Sequence, residues 1–129
     1  MMKMEELLQA PYWIIDILPK QVPKGSPGQY FTIEKYFQQE SMPVIRQKHA
    51  RLILKLNCYR EIELNGEKNP KPDRLVQAIS DRETYLIIGS SLILSKPDDA
   101  HMTIFNPDTE LLNLVTALAS AEGLFVWKP

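Results

Sequence analysis

The chain has 129 residues, 44% of them apolar and 24% charged, with a formal net charge of −1. That is the composition of a globular chain able to bury a core of its own, with no overall field to attract nucleic acid or acidic lipid. Cys58 is the one cysteine, so an internal disulfide and a zinc-binding cysteine cluster are both excluded.

The opening residues MMKMEELLQAP lack the apolar stretch of a signal peptide. No apolar run approaches the roughly 18 residues that a membrane-spanning helix needs. A single domain over residues 1–129, cytoplasmic and without a membrane partner, is the expectation.

MKMEELLQ can make two helical turns before Pro11 stops them. YWIIDIL, bounded by Pro11 and Pro19, is short, aromatic and β-branched, which is the pattern of a strand. Alternation places Trp13, Ile15 and Ile17 on one face and Tyr12, Ile14, Asp16 and Leu18 on the other. Both faces are largely apolar. Such a strand is interior and covered on both sides, or has one side covered by a partner chain.

After the proline loop, Ser26 is in position to cap a helix with Pro27 at its first turn. Tyr30, Ile33 and Phe37 then share one helical face, with Tyr36 beside them. ESMPVIRQKHA predicts a further short helix after Ser41. Next comes LILKLNCYREIEL. Leu52, Leu54, Leu56, Cys58, Ile62 and Leu64 fall on one side of a period-2 ladder, and Ile53, Lys55, Asn57, Tyr59, Glu61 and Glu63 on the other. This predicts a long strand with one wet face and a bend near Asn57–Arg60, closed by an Asn65-Gly66 turn.

PDRLVQAIS predicts a short helix with Leu75, Val76 and Ile79 inward. TYLIIGSSLILSKPDDAHMTIF reads as a three-strand meander, turned first at Gly89-Ser90 and then at Pro97-Asp98-Asp99. The last helix is expected to have Asn106 as cap, Pro107 at its first position and Gly123 at its end. Leu111, Leu112, Val115, Leu118 and Ala119 would form its buried stripe, and LFVW a final strand. The fold class is therefore α+β: a mostly antiparallel sheet of five or six strands with helices packed mainly on one face.

Chemistry-bearing patterns are sparse. The sequence has no phosphate-binding loop, nucleophile elbow, His-Glu-x-x-His or EF-hand spacing, and no cofactor is indicated. His101 beside Asp98 and Asp99 has metal-ligand chemistry, but aspartates in a turn are common for backbone reasons, so no metal is expected. Cys58, on the ladder's apolar side, is read as a small core residue.

From Arg46 to Arg60 the chain carries Arg46, Lys48, Arg51, Lys55 and Arg60 with no acid among them. A phosphate or nucleic-acid patch is one reading of this stretch. The favoured one is a solvated helix and the wet face of a strand, balanced by Asp98, Asp99, Asp108 and Glu110. Asp16, the only charge in YWIIDIL, is costly to bury unpaired. It either fixes the following loop by accepting backbone N–H bonds around Pro19–Val22, or lies at the rim of a pocket with Gln21, Gln29 and Tyr30.

Three functions follow in order of preference. The first is a non-enzymatic module that binds a protein partner or itself as a homodimer, with Trp13, Phe125 and Trp127 as interface aromatics. The second is a small-ligand binder or enzyme using Asp16 and the 19–30 loop. The third is nucleic-acid binding through the 46–60 stretch.

Overall fold

The computed structural model describes residues 3–129, which form five α-helices and one seven-stranded antiparallel sheet. α1 (Met4–Leu7) is a single turn, finished before Pro11 and before β1 (Tyr12–Asp16) begins. Met2, where the expected helix starts, lies outside the described residues.

α2 (Tyr30–Glu40) begins three residues later than Pro27. Ser26 is not its cap, because the Ser26 hydroxyl donates to the Pro23 carbonyl at 2.8 Å and is used in the preceding turn. Gln29 holds the cap position without a side-chain bond.

The largest departure from expectation is α3 (Met42–Asn57), sixteen residues long. The predicted strand over 52–64 is instead the second half of this helix, a turn, and the two residues of β2 (Glu63–Leu64). Ile45, His49, Leu52, Ile53 and Leu56 recur at spacings of three and four and are all buried. That stripe is the helical one, and no proline or glycine interrupts it after Pro43. Ile53, assigned to the wet side of a ladder, is fully buried. Cys58, assigned to the core, is exposed just past the helix end. In place of a strand bend, Asn57 ties off the turn by donating to the Arg60 carbonyl and to Asn69 Oδ1, at 3.0 and 2.9 Å.

β3 (Glu67–Lys68) pairs with β2 across Asn65-Gly66, whose φ values of 51° and 82° are both left-handed, as a type I′ turn requires. α4 (Pro72–Asp81) buries Leu75, Ala78 and Ile79. The meander is β4 (Thr84–Ile88), β5 (Ser91–Ser95) and β6 (Met102–Phe105), with Ile88 facing Ser91 across Gly89-Ser90. The seven strands exceed the expected five or six because β2 and β3 form a separate short hairpin.

α5 (Thr109–Ala121) is capped by Asp108, not Asn106: Asp108 Oδ1 accepts from the Leu111 N–H at 2.8 Å. Asn106 sits at φ 58° and donates through Nδ2 to the Ser90 carbonyl, tying the turn after β6 to the β4–β5 hairpin. At the other end Gly123, at φ +74°, closes a Schellman motif. Its N–H donates to the Ser120 carbonyl and that of Leu124 to the Ala119 carbonyl. β7 (Phe125–Trp127) follows at once.

The strand order β3-β2-β4-β5-β6-β1-β7 puts β1 in the interior, between β6 and β7. Its two faces differ. Trp13, Ile15 and Ile17 join Leu86, Ile88, Ile93, Met102, Ile104 and Val126 in the core shared with α3, α4 and α5. Tyr85, Ile87, Leu92, Leu94 and Phe105, from alternate positions of the meander, form a smaller cluster with Leu7 of α1.

Candidate functional site

Two regions bring together the residues singled out by sequence. The first is the corner at the end of β1. Asp16 is 6% exposed and lies opposite Phe125 in the register. Its carboxylate accepts from the N–H of the next residue, Ile17, at 2.7 Å, not from the Pro19–Val22 segment. Ile17, the next residue, supplies that N–H, and Pro19 has none to offer.

Burial raises the Asp16 pKa, and the Ile17 N–H and nearby His101 only partly offset the effect. The Trp127 indole N–H, buried with no acceptor in hydrogen-bond range, is near enough to favour the charged form slightly. Tyr30 belongs to this corner. Its hydroxyl donates to Glu34 Oε2 at 3.1 Å. Burial, the Glu34 charge and, least of all, Asp16 push the phenol up to about 12. Gln21 and Gln29 remain exposed on the loop. Of the four candidates, then, Asp16 and Tyr30 come together. Glu34 and the approach of His101 to Asp16 were missed; Glu34, one helical turn after Tyr30, was the legible one.

The second region is the sheet face opposite the main core. The register lines up Ile87, Leu92, Phe105 and Tyr12 in one row and Tyr85, Leu94, Thr103, Ile14 and Trp127 in the next. α1 covers Leu92 and Phe105 through Leu7. Ile14, Tyr85, Ile87, Leu94 and Trp127 are half-buried, whereas Tyr12 and Phe125 are 40% and 45% exposed. Of the three aromatics expected at an interface, Phe125 and Trp127 lie here, but Trp13 packs against the main core, with the Lys128 ammonium 4.4 Å from its ring centroid.

The basic stretch is divided among internal partners. Arg46 is buried: one terminal nitrogen bonds His49 Nδ1 at 2.9 Å, and the other donates to Ser95 Oγ at 2.8 Å and to the Ile79 carbonyl. Since Arg46 only donates, His49 accepts at Nδ1 and keeps its proton on Nε2. Arg51 Nε donates to Glu122 Oε1 at 2.7 Å, Lys55 to the other oxygen, and Lys48 to the Glu122 carbonyl at 2.8 Å. Burial raises the Glu122 pKa, but the bonds from Lys55 and Arg51 outweigh it and hold the carboxyl below its usual range.

Arg60 reaches Glu110 at 3.6 Å. Of the expected balancing acids, Glu110 therefore serves, Asp98 and Asp99 act at longer range on Arg46, and Asp108 is the helix cap. Glu122 was missed, although an acid at a helix C-terminus opposes the dipole and calls for cations nearby. A groove of about 580 Å³ runs between α3 and α4, lined by Met42, Leu54 and Val76 with Arg46 and Arg51. Among the described residues no three His, Cys, Asp or Glu side chains gather as a metal-holding group, and no helix is long and apolar enough to cross a membrane.

The class defined by this geometry is an α+β chain with one antiparallel sheet, one face of which packs with α3, α4 and α5 and the other of which α1 covers in part. Comparison with protein-family models, curated proteins and solved structures finds no match to the chain.

Proposed function

We propose that the protein is a non-enzymatic interaction module whose working surface is the open sheet face. The observation that carries this reading is the partial cover of a two-row apolar face by a one-turn helix, with Tyr12 and Phe125 turned to solvent. Monomers seldom leave a contiguous apolar area of this kind bare. Half-buried aromatics ringed by aliphatics are also the side chains that dominate interface energetics.

The test is site-specific photo-crosslinking of the full chain in lysate of its host. A photoreactive residue at position 125 should give a discrete protein adduct. The same residue at position 59, where Tyr59 is 68% exposed outside the face, should give none. Equal labelling from both positions refutes the reading.

A further inference from the structure

We infer that the groove between α3 and α4 is a binding site for a small carboxylate with an apolar body, the acid facing Arg46. This site is separate from the open sheet face and stands or falls without it.

Arg46 is a buried cation without a counter-ion. It is 7% exposed, and a guanidinium keeps its proton at any ordinary pH. Its three bonded partners, His49 Nδ1, Ser95 Oγ and the Ile79 carbonyl, are all neutral. Among the described residues no carboxylate comes within ion-pair distance of it; Asp98 and Asp99 act only from farther off. Its Nε is buried and donates to nothing. A charge held out of water and unpaired is costly, and an anion brought to it recovers part of that cost.

The surroundings of Arg46 say which anion. It lines the groove of about 580 Å³, which is in the size range of small-molecule sites. Its bonds fix its end of the groove: Ser80, next to Ile79, and Pro97, two residues after Ser95, line the same space. No Asp or Glu lines it. Gln47 and Arg51 share this wall, and Arg51 uses only its Nε on Glu122.

Away from Arg46 the wall turns apolar, through Ala50, Leu54 and Val76. Leu54 lies about 12 Å further along α3 than Arg46, a span that an extended eight-carbon acid fills. A cationic ligand would meet two guanidiniums here, and a bare inorganic anion would leave the apolar wall uncovered. An anionic head with an aliphatic tail complements both parts.

Titration of the full ¹⁵N-labelled chain with octanoate, followed by proton–nitrogen NMR, tests the inference. The Arg46 Nε–H signal and the amides of Ser80 and Lys96 should move and saturate, with a dissociation constant of about 10⁻⁴ M. Octanol has the tail without the charge and should bind at least about ten-fold more weakly, the effect of one charge-assisted contact. Gln47→Glu puts an acid at an exposed position of the wall. It should weaken octanoate by at least about ten-fold and leave octanol unaltered. Ser80→Trp, at an exposed position on the lip, should exclude both.

No saturation by about 1 mM octanoate overturns the site. Octanol binding as tightly as octanoate, or octanoate binding unchanged in Gln47→Glu, overturns the part given to charge. Octanoate that moves the Trp127 indole signal and spares Arg46 has bound the sheet face, and overturns the inference while leaving the interaction reading in place.

Discussion

His49 makes stability depend on pH well above the carboxylate range. It is fully buried, and burial followed by the Arg46 charge pushes its imidazole down to about 3. In the unfolded chain the ring titrates near its ordinary value of about 6.5. Between those values the unfolded state binds a proton that the folded state refuses, so stability is full above pH 6.5 and falls as pH is lowered. The slope is about 1.4 kcal/mol per pH unit, so moving from pH 7 to pH 5 removes about 2 kcal/mol.

With a urea dependence of roughly 2 kcal/mol per molar, the unfolding midpoint should drop by about 1 M. Two carboxyls act in the same region with different signs. Asp16, its pKa raised, favours the folded state as pH falls. Glu122, its pKa lowered, loses its contribution as pH falls, mainly below pH 4.5. His49→Gln isolates the imidazole, because glutamine can still accept from Arg46 but does not titrate. The midpoint of this variant should be nearly flat between pH 7 and 5. Equal drops in variant and wild type would refute a buried neutral His49.

Other expectations follow from the same geometry. Ile53→Asp and Leu56→Asp should both unfold the domain, and Lys55→Asp should disrupt only the Glu122 pairing; a folded Ile53→Asp by circular dichroism would restore the ladder in place of α3. Asp108→Ala should cost about 1 kcal/mol by urea denaturation through the lost cap, and an unchanged midpoint would move the start of α5. Asp16→Asn should raise the urea midpoint at pH 7, because the folded state disfavours the charged carboxylate, and the gain should vanish below pH 4. A lowered midpoint there would mean that the charge holds the corner together. Wild type should bind duplex DNA no better than roughly 10⁻⁴ to 10⁻⁶ M at physiological salt, and Glu122→Gln, which frees Arg51 and Lys55, should bind more tightly by fluorescence anisotropy.

Local chemistry made much of this fold legible. Pro11 and Pro19 bracket β1, Asn65-Gly66 and Gly89-Ser90 make the turns, and Gly123 ends α5. Each works through backbone angles that only a few residues allow. The failure at 52–64 came from a short-range coincidence. Leu52, Leu54 and Leu56 alternate, but Leu54 is only partly buried, and the stripe that matters runs from Ile45 through His49 to Ile53 and Leu56. His49 and Arg46 hid it, because a buried arginine and a buried histidine look like surface residues until their partners Ser95 and Ile79 are in place. Glu122, and the approach of His101 to Asp16, were missed for the same reason: these roles depend on residues far away in the chain.

The same limit applies to Asp16, and the structure turns the question about it around. A carboxylate that fixed the loop would show bonds into residues 19–22, and it has none. Its one short bond is to its own neighbour, a bond that many strand-ending aspartates can make, and burial works against its charge. What Asp16 does is mark the end of an apolar face. Tyr12 and Ile14 precede it on that side of β1, and Phe125 and Trp127 flank it across the β7 pairing. A strand apolar on both sides needs two covers. α3, α4 and α5 supply one, and α1 supplies part of the other. The charge at position 16 therefore ends the apolar run of β1 on that side.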